Sequence, residues 1–110
     1  MHLLFICNQG ENRSRTAAEL FADNAETASA GLYGDKPVTE LELIWADRII
    51  VMETYQKKDL MFKYGDLLMK KKPIIILDVP DVYKYKQTEL VALLKRKWVE
   101  KIAPALTGKH

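Results

Sequence analysis

Three short apolar runs punctuate the chain, LLFIC at 3–7, RIIVME at 48–53 and IIILDV at 74–79, and TASAGL at 27–32 reads as a further strand between the first two. Strands that stay apolar at every position are buried on both faces, so these belong to a sheet covered on both sides. The intervening stretches carry helical spacing. From Ser14, the residues Ala17, Leu20 and Phe21 predict a helix to about Asn24. Thr39 with Glu42 matches a capping box that opens a short helix through Trp45. Residues 54–72 read as an irregular helix broken near Gly65, and Leu90, Leu93, Leu94, Trp98, Ile102 and Leu106 lie on one stripe of a closing helix from Thr88 to about Ala103. Loops fall at 8–12, 33–37 and 80–87. Strands alternating with helices predict an α/β fold, a four-stranded parallel sheet with helices on both faces.

At 110 residues the chain suits a single domain, 1–110, and 48% hydrophobic residues supply a core. Seventeen Lys and Arg against fifteen Asp and Glu leave a mild positive balance, which is no nucleic-acid footprint. One cysteine, Cys7, makes no intrachain disulfide, and nothing points to an oxidising compartment. The first apolar run is shorter than the roughly 7–15 residues of a signal-peptide core, and no stretch approaches the ~20 of a membrane span. The expectation is a cytoplasmic protein without membrane or nucleic-acid partners. No residue cluster has metal-ligand spacing, so no metal is expected.

In parallel α/β sheets ligands bind beyond the carboxyl ends of the strands. Cys7 ends the first strand and CNQGENRS follows it. Between a strand and a helix, the backbone N–H groups of Asn8, Gln9, Gly10, Glu11 and Asn12 can turn inward as an anion nest, helped by the positive end of the helix. Gly10 permits the left-handed bend, and Arg13 offers a planar fork for two oxygens of a phosphate-like anion. An electropositive setting of this kind favours a cysteine thiolate, and Ser14 can stabilise the sulfur as a leaving group. The pattern suits nucleophilic attack on a bound phosphate. A general acid is then needed, and LDVPDVYKY offers Asp81, placed ahead of Asp78, with Tyr83 as a pocket wall.

Blander readings stand beside these. A lone cysteine is often an inert buried hydrophobe, and an aspartate after proline is often a turn residue or cap. Trp45 and Trp98 read as core. Tyr33 and Tyr85 read as walls or partial core. Lys57, Lys58, Lys70, Lys71, Lys72, Lys84 and Lys86 read as a solvated face, and His2 and His110 are given no role.

LLFICNQGENRSRTAAELF resembles the low-molecular-weight protein tyrosine phosphatases, with their C-x5-R-S/T loop after the first strand. SAG (29–31), ADRIIVME (46–53) and VPDVY (79–83) resemble further segments of that family in the same order. The resemblance implies a flavodoxin-like, phosphotyrosine phosphatase type I-like fold. It implies Cys7 as nucleophile, Arg13 as phosphate clamp, Ser14 as thiol-stabilising hydroxyl and Asp81 as general acid. It also implies Tyr83, and more loosely Tyr33, as aromatic walls, and Ser29 as a support beneath the loop. No cofactor is implied, and the partner is a phosphorylated protein or small phosphomonoester. The chain departs from the family where Asn12 replaces a usual cysteine, Gly10 a usual asparagine and Val82 a usual proline. The segment between SAG and ADRIIVME is also shorter than usual.

The leading expectation is a phosphatase working through a cysteinyl phosphate. Alternatives are an arsenate reductase drawing on an external thiol, a phosphocysteine carrier, and a module that binds a phosphorylated partner without turnover. The carrier needs neither Arg13 at this spacing nor a general acid.

Overall fold

The computed structural model describes residues 1–34, 36–68 and 72–107. The expected strands form, as β1 (His2–Cys7), β2 (Glu26–Gly31), β3 (Arg48–Val51) and β4 (Ile74–Ile76). All pairings are parallel and the order is β2-β1-β3-β4. Helices α1 (Arg13–Leu20), α2 (Glu40–Trp45), α3 (Thr54–Leu68), α4 (Thr88–Lys97) and α5 (Ala103–Leu106) complete the fold.

The continuous apolar run of β1 has a direct cause. Successive strand side chains point to opposite faces, and β1 has a core on each. Leu3, Phe5 and Cys7 join Phe21, Leu90, Leu94 and Ile102 on one side. Leu4 and Ile6 join Val38, Leu43, Ile49, Val51 and Leu60 on the other. Leu3 through Ile6 are fully buried, and β1, paired on both edges, is the central strand that every layer touches.

Several elements differ from the sequence expectation. β4 is shorter than 74–79: Leu77 and Val79 still donate to Val51 O and Met52 O, but Asp78 between them adopts a left-handed φ of 59° and ends the regular strand. α3 kinks at Tyr64 (φ −128°), one residue before the expected break. The closing helix widens into a π turn at Trp98–Ile102 and restarts as α5 with Pro104 in its first turn, where a missing N–H interrupts the ladder. The capping box on α2 is present in both directions, Thr39 Oγ1 accepting from Glu42 N–H and Glu42 Oε1 accepting from Thr39 N–H.

Two side-chain expectations need correction. Trp98 stacks on Phe21 at 4.4 Å and seals the α1–α4 side, but Trp45 is not core. It sits at the sheet's amino end, 36% exposed, with the His2 imidazole stacked on it at 4.5 Å. Nor is Lys72 part of a solvated face. Its Nζ donates to the carbonyls of Leu43 (2.6 Å) and Ala46 (2.6 Å) and so caps the C-terminus of α2. Lys70, Lys71 and His110 lie outside the described residues, as does Asp35 of the 33–37 loop.

A cation on the last carbonyls of a helix contributes up to about 2 kcal/mol when partly buried. Lys72→Met is therefore expected to lower unfolding stability by about 1–2 kcal/mol in a urea titration. Lys58→Met, on the exposed surface of α3, is expected to change it by less than about 0.5 kcal/mol.

Candidate active site

Cys7, buried at 3% exposure, ends β1 where the chain continues through residues 8–12 into α1. β1 lies between β2 and β3, so the strand order reverses here and the sheet opens a crevice at this point. Gly10 turns the loop with φ of +73°. It also lies on the end of β2: a Cβ on Gly10 would meet Gly31 N at 2.8 Å, and one on Gly31 would meet Gln9 C at 2.7 Å. Neither position admits a side chain. Backbone bonds from Leu32 N–H to Cys7 O and from Tyr33 N–H to Asn8 O, both 2.9 Å, fix the loop's first residues to the exit of β2. Among the described residues, no protein acceptor takes the amides of residues 9–14. Consecutive unspent amides around a left-handed glycine make an anion nest.

Arg13 is the largest buried polar side chain, 1% exposed. Its Nη1 donates to Glu53 Oε2 at 2.8 Å and to Val79 O at 2.7 Å. Its Nη2 is buried without a hydrogen-bond partner among the described residues, and its Nε lies 3.7 Å from Asp81 Oδ1, beyond hydrogen-bond range. One corner of the guanidinium is thus anchored, and the Nε–Nη2 edge keeps two parallel donors unspent. That edge matches two oxygens of a tetrahedral anion. Cys7 Sγ and Ser14 Oγ are 3.0 Å apart, and Ser14 is fully buried.

The two candidate carboxylates separate. Asp78 Oδ2 accepts from Lys101 Nζ at 2.6 Å, which holds its carboxyl below the usual range. Asp81 is exposed and has Arg13 as its only ion-pair partner among the described residues. The aromatic residues also divide. Tyr83 is half-buried against the core cluster of β1 and α4, so much of its ring is packing. Tyr33, 44% exposed, lines a shallow groove with Gln9, Glu11, Gly34 and Lys36, and its hydroxyl donates to Asp59. Asn12 is exposed at the N-terminus of α1. Tyr85 lies away from the loop, between Arg15 and Lys86 with its hydroxyl on Glu19. Among the described residues no three His, Cys, Asp or Glu side chains converge in a way that would hold a metal.

Four residues at this edge escaped the sequence reading. Glu53 anchors Arg13. Gln56 and Tyr55, in the first turn of α3, both donate to Asn8 Oδ1 at 2.9 Å. Gly31 forms the floor under Gly10, the place expected of Ser29, whose side chain makes no hydrogen bond among the described residues. The position of Glu53 just past the third strand was an available signal, since the carboxyl ends of neighbouring parallel strands share one crevice. Gln56 and Tyr55 carried none.

No protein-family model and no curated protein sequence matches the chain. Solved structures do, by fold. YfkJ from Bacillus subtilis superposes with a TM-score of 0.78 at 22% identity, covering 100% of this chain and 97% of its own. The YwlE arginine phosphatase from Geobacillus stearothermophilus gives 0.72 at 17% identity, over 99% and 97%. A low-molecular-weight phosphotyrosine phosphatase from Vibrio cholerae gives 0.72 at 16%, over 98% and 97%. The chain therefore has the low-molecular-weight phosphatase fold, as its sequence resemblance implied, and it spans nearly the whole length of these structures.

Gly31→Ala is expected to cost about 1–3 kcal/mol of stability, because the new methyl meets backbone that cannot turn aside. It is also expected to weaken vanadate binding while circular dichroism stays native-like. The Tyr33 phenol, pushed up to about 12 chiefly by its bond to Asp59, is expected to titrate above the ordinary tyrosine value of about 10 in alkaline absorbance. A raised phenol pKa means the bond's contribution is present below the unfolded value of about 10 and is lost as pH rises toward 12. Asp59→Asn should return Tyr33 to the ordinary range.

Proposed function

We propose that the protein is a cysteine-dependent phosphatase acting on phosphomonoesters. The observation that carries this reading is the Arg13 guanidinium: buried, anchored at Nη1, and presenting its Nε–Nη2 edge beside a loop of unspent amides that begins at Cys7. A structural arginine would have its donors satisfied. An arginine awaiting a dianion would not.

The chemistry follows from the parts. The non-bridging oxygens of the phosphate take the amides of residues 9–14 and the Arg13 edge. The Cys7 thiolate attacks phosphorus, an S–P bond forms, and the P–O bond to the leaving group breaks as Asp81 gives that oxygen its proton. Asp81, now a carboxylate, accepts a proton from water as the water oxygen attacks phosphorus. The S–P bond breaks, inorganic phosphate forms, and the Ser14 hydroxyl donates to the departing sulfur. Asp81 lies beside the Arg13 edge at 3.7 Å without a hydrogen bond among the described residues, whereas Asp78 is bonded to Lys101; this contrast supports Asp81 as the acid.

Phosphotyrosine-type esters, on a phosphorylated protein or a small molecule, are the substrate class. Support comes from the exposed rings of Tyr33 and Tyr55 beside the loop and from the phosphotyrosine phosphatase among the similar structures. The arginine phosphatase there makes a phosphoguanidine, with a guanidine nitrogen as leaving group, the competing substrate to test.

Wild-type protein is expected to hydrolyse p-nitrophenyl phosphate. Cys7→Ser should abolish turnover and retain phosphate or vanadate binding, and Asp81→Asn should lower kcat by about 100-fold, the lower end of general acid–base contributions. Undiminished turnover by Cys7→Ser would overturn the reading. Oxyanion binding without hydrolysis by the wild type would also overturn it and direct the next assay to arsenate with an added thiol.

A further inference from the structure

Gln56 is fully buried, and its hydrogen-bond polarity is forced. Its Oε1 accepts from Met52 N–H at 2.8 Å and from Glu53 N–H at 2.9 Å. Two backbone donors at one end assign that end as oxygen, so the other end is the amide nitrogen, which donates to Asn8 Oδ1 at 2.9 Å. Asn8 Oδ1 also accepts from the Tyr55 hydroxyl at 2.9 Å. Asn8 directly follows Cys7. Glu53 is the residue whose carboxylate holds Arg13 Nη1.

One side chain therefore ties two separate parts of the site. Through Asn8 it holds the first residue of the loop, and through the Glu53 amide it fixes the backbone that aims the Arg13 anchor. A buried glutamine could simply cap the turn after β3, and its two backbone bonds do that. The third bond has no such purpose, because Asn8 is in another segment and, being half-buried, has access to water. We infer that Gln56 is a positioning residue for the oxyanion cradle, setting the loop against the Arg13 fork so that both meet the same anion. This rests on the phosphatase reading, since it assigns Gln56 a part in aligning that site. Gln56 touches neither the phosphate nor the sulfur, so its effect is geometric: a 1 Å misplacement of catalytic groups costs up to about 100-fold in rate.

The test compares wild type, Gln56→Met, Asn8→Ala, the double variant of these two, and Tyr55→Phe, at a temperature where each is fully folded. Gln56→Met keeps length and burial but removes all three hydrogen bonds. Asn8→Ala spares both backbone bonds of Gln56 and removes the two bonds at Asn8 Oδ1, those from Gln56 Nε2 and from the Tyr55 hydroxyl. Tyr55→Phe removes the second alone, and the difference between these two variants decides the matter if Gln56→Met fails to fold. The readouts are kcat and KM for p-nitrophenyl phosphate, the inhibition constant for vanadate, and the melting temperature. The expected result is a fall in kcat/KM of about 10-fold or more in Gln56→Met and in Asn8→Ala, a parallel weakening of vanadate inhibition, and a double variant no worse than the more severe single. A purely structural Gln56 would lower the melting temperature and leave kinetics and vanadate inhibition of the folded protein at wild-type values, which overturns the inference. Wild-type hydrolysis that does not depend on Cys7 would end the phosphatase reading itself. A Cys7-dependent wild type with unchanged Gln56→Met and Asn8→Ala kinetics ends only the role given to Gln56.

Discussion

A guanidinium with 1% exposure is the constraint around which this edge of the sheet is arranged. Burying a cation costs several kcal/mol unless charge and hydrogen bonds offset it. Here the offset is partial. Glu53 supplies the counter-charge and Val79 a carbonyl, both on Nη1, from chain segments 40 and 66 residues away. Nη2 has no partner among the described residues, and it is the donor that the proposed anion would take. The same contacts lock the ends of β3 and of the segment after β4 to the start of α1, so the fold's closure and the site's geometry depend on one ion pair.

The backbone contributes the other half. Gly10 and Gly31 are pressed together so closely that a methyl on either would meet main-chain atoms below 3 Å. That contact holds the loop down on the exit of β2, where Leu32 and Tyr33 N–H donate to the carbonyls of Cys7 and Asn8. The amides then have nowhere to bend to find partners. An anion nest is thus kept open by steric exclusion beneath it, and α1 adds the positive end of its dipole without needing a side-chain cap at Asn12.

Much of this was legible in the sequence. Continuous apolar runs disclosed the central strands because β1 has a core on each face, and C-x5-R-S after the first of them placed Cys7, Arg13 and Ser14 together. What escaped was long-range. The place of Glu53 just past the third strand put it at the shared crevice, but nothing in VMETYQ names Arg13 as its partner or announces that Gln56 will reach Asn8, since these bonds depend on how β3 lies beside β1. Lys72 looked like one of a run of solvated lysines, yet it reaches three carbonyls at the end of α2. Trp45 followed apolar neighbours and read as core, but the short α2 carries it to the sheet's rim. The role of Tyr83 was read from its place after Asp81, while its burial is set by packing against the side of the molecule formed by α1 and α4.

The proposed chemistry stands on a covalent bond from Cys7 to phosphorus inside this cradle. The most direct measurement is mass analysis of Asp81→Asn mixed briefly with p-nitrophenyl phosphate and quenched in neutral denaturant. The nitrophenolate leaves with little acid assistance, whereas water attack on the intermediate lacks its base, so the intermediate accumulates. One phosphoryl group on the peptide that carries Cys7 is the predicted result. Release of nitrophenol with no phosphoryl group on Cys7, or with one on another residue, would contradict it.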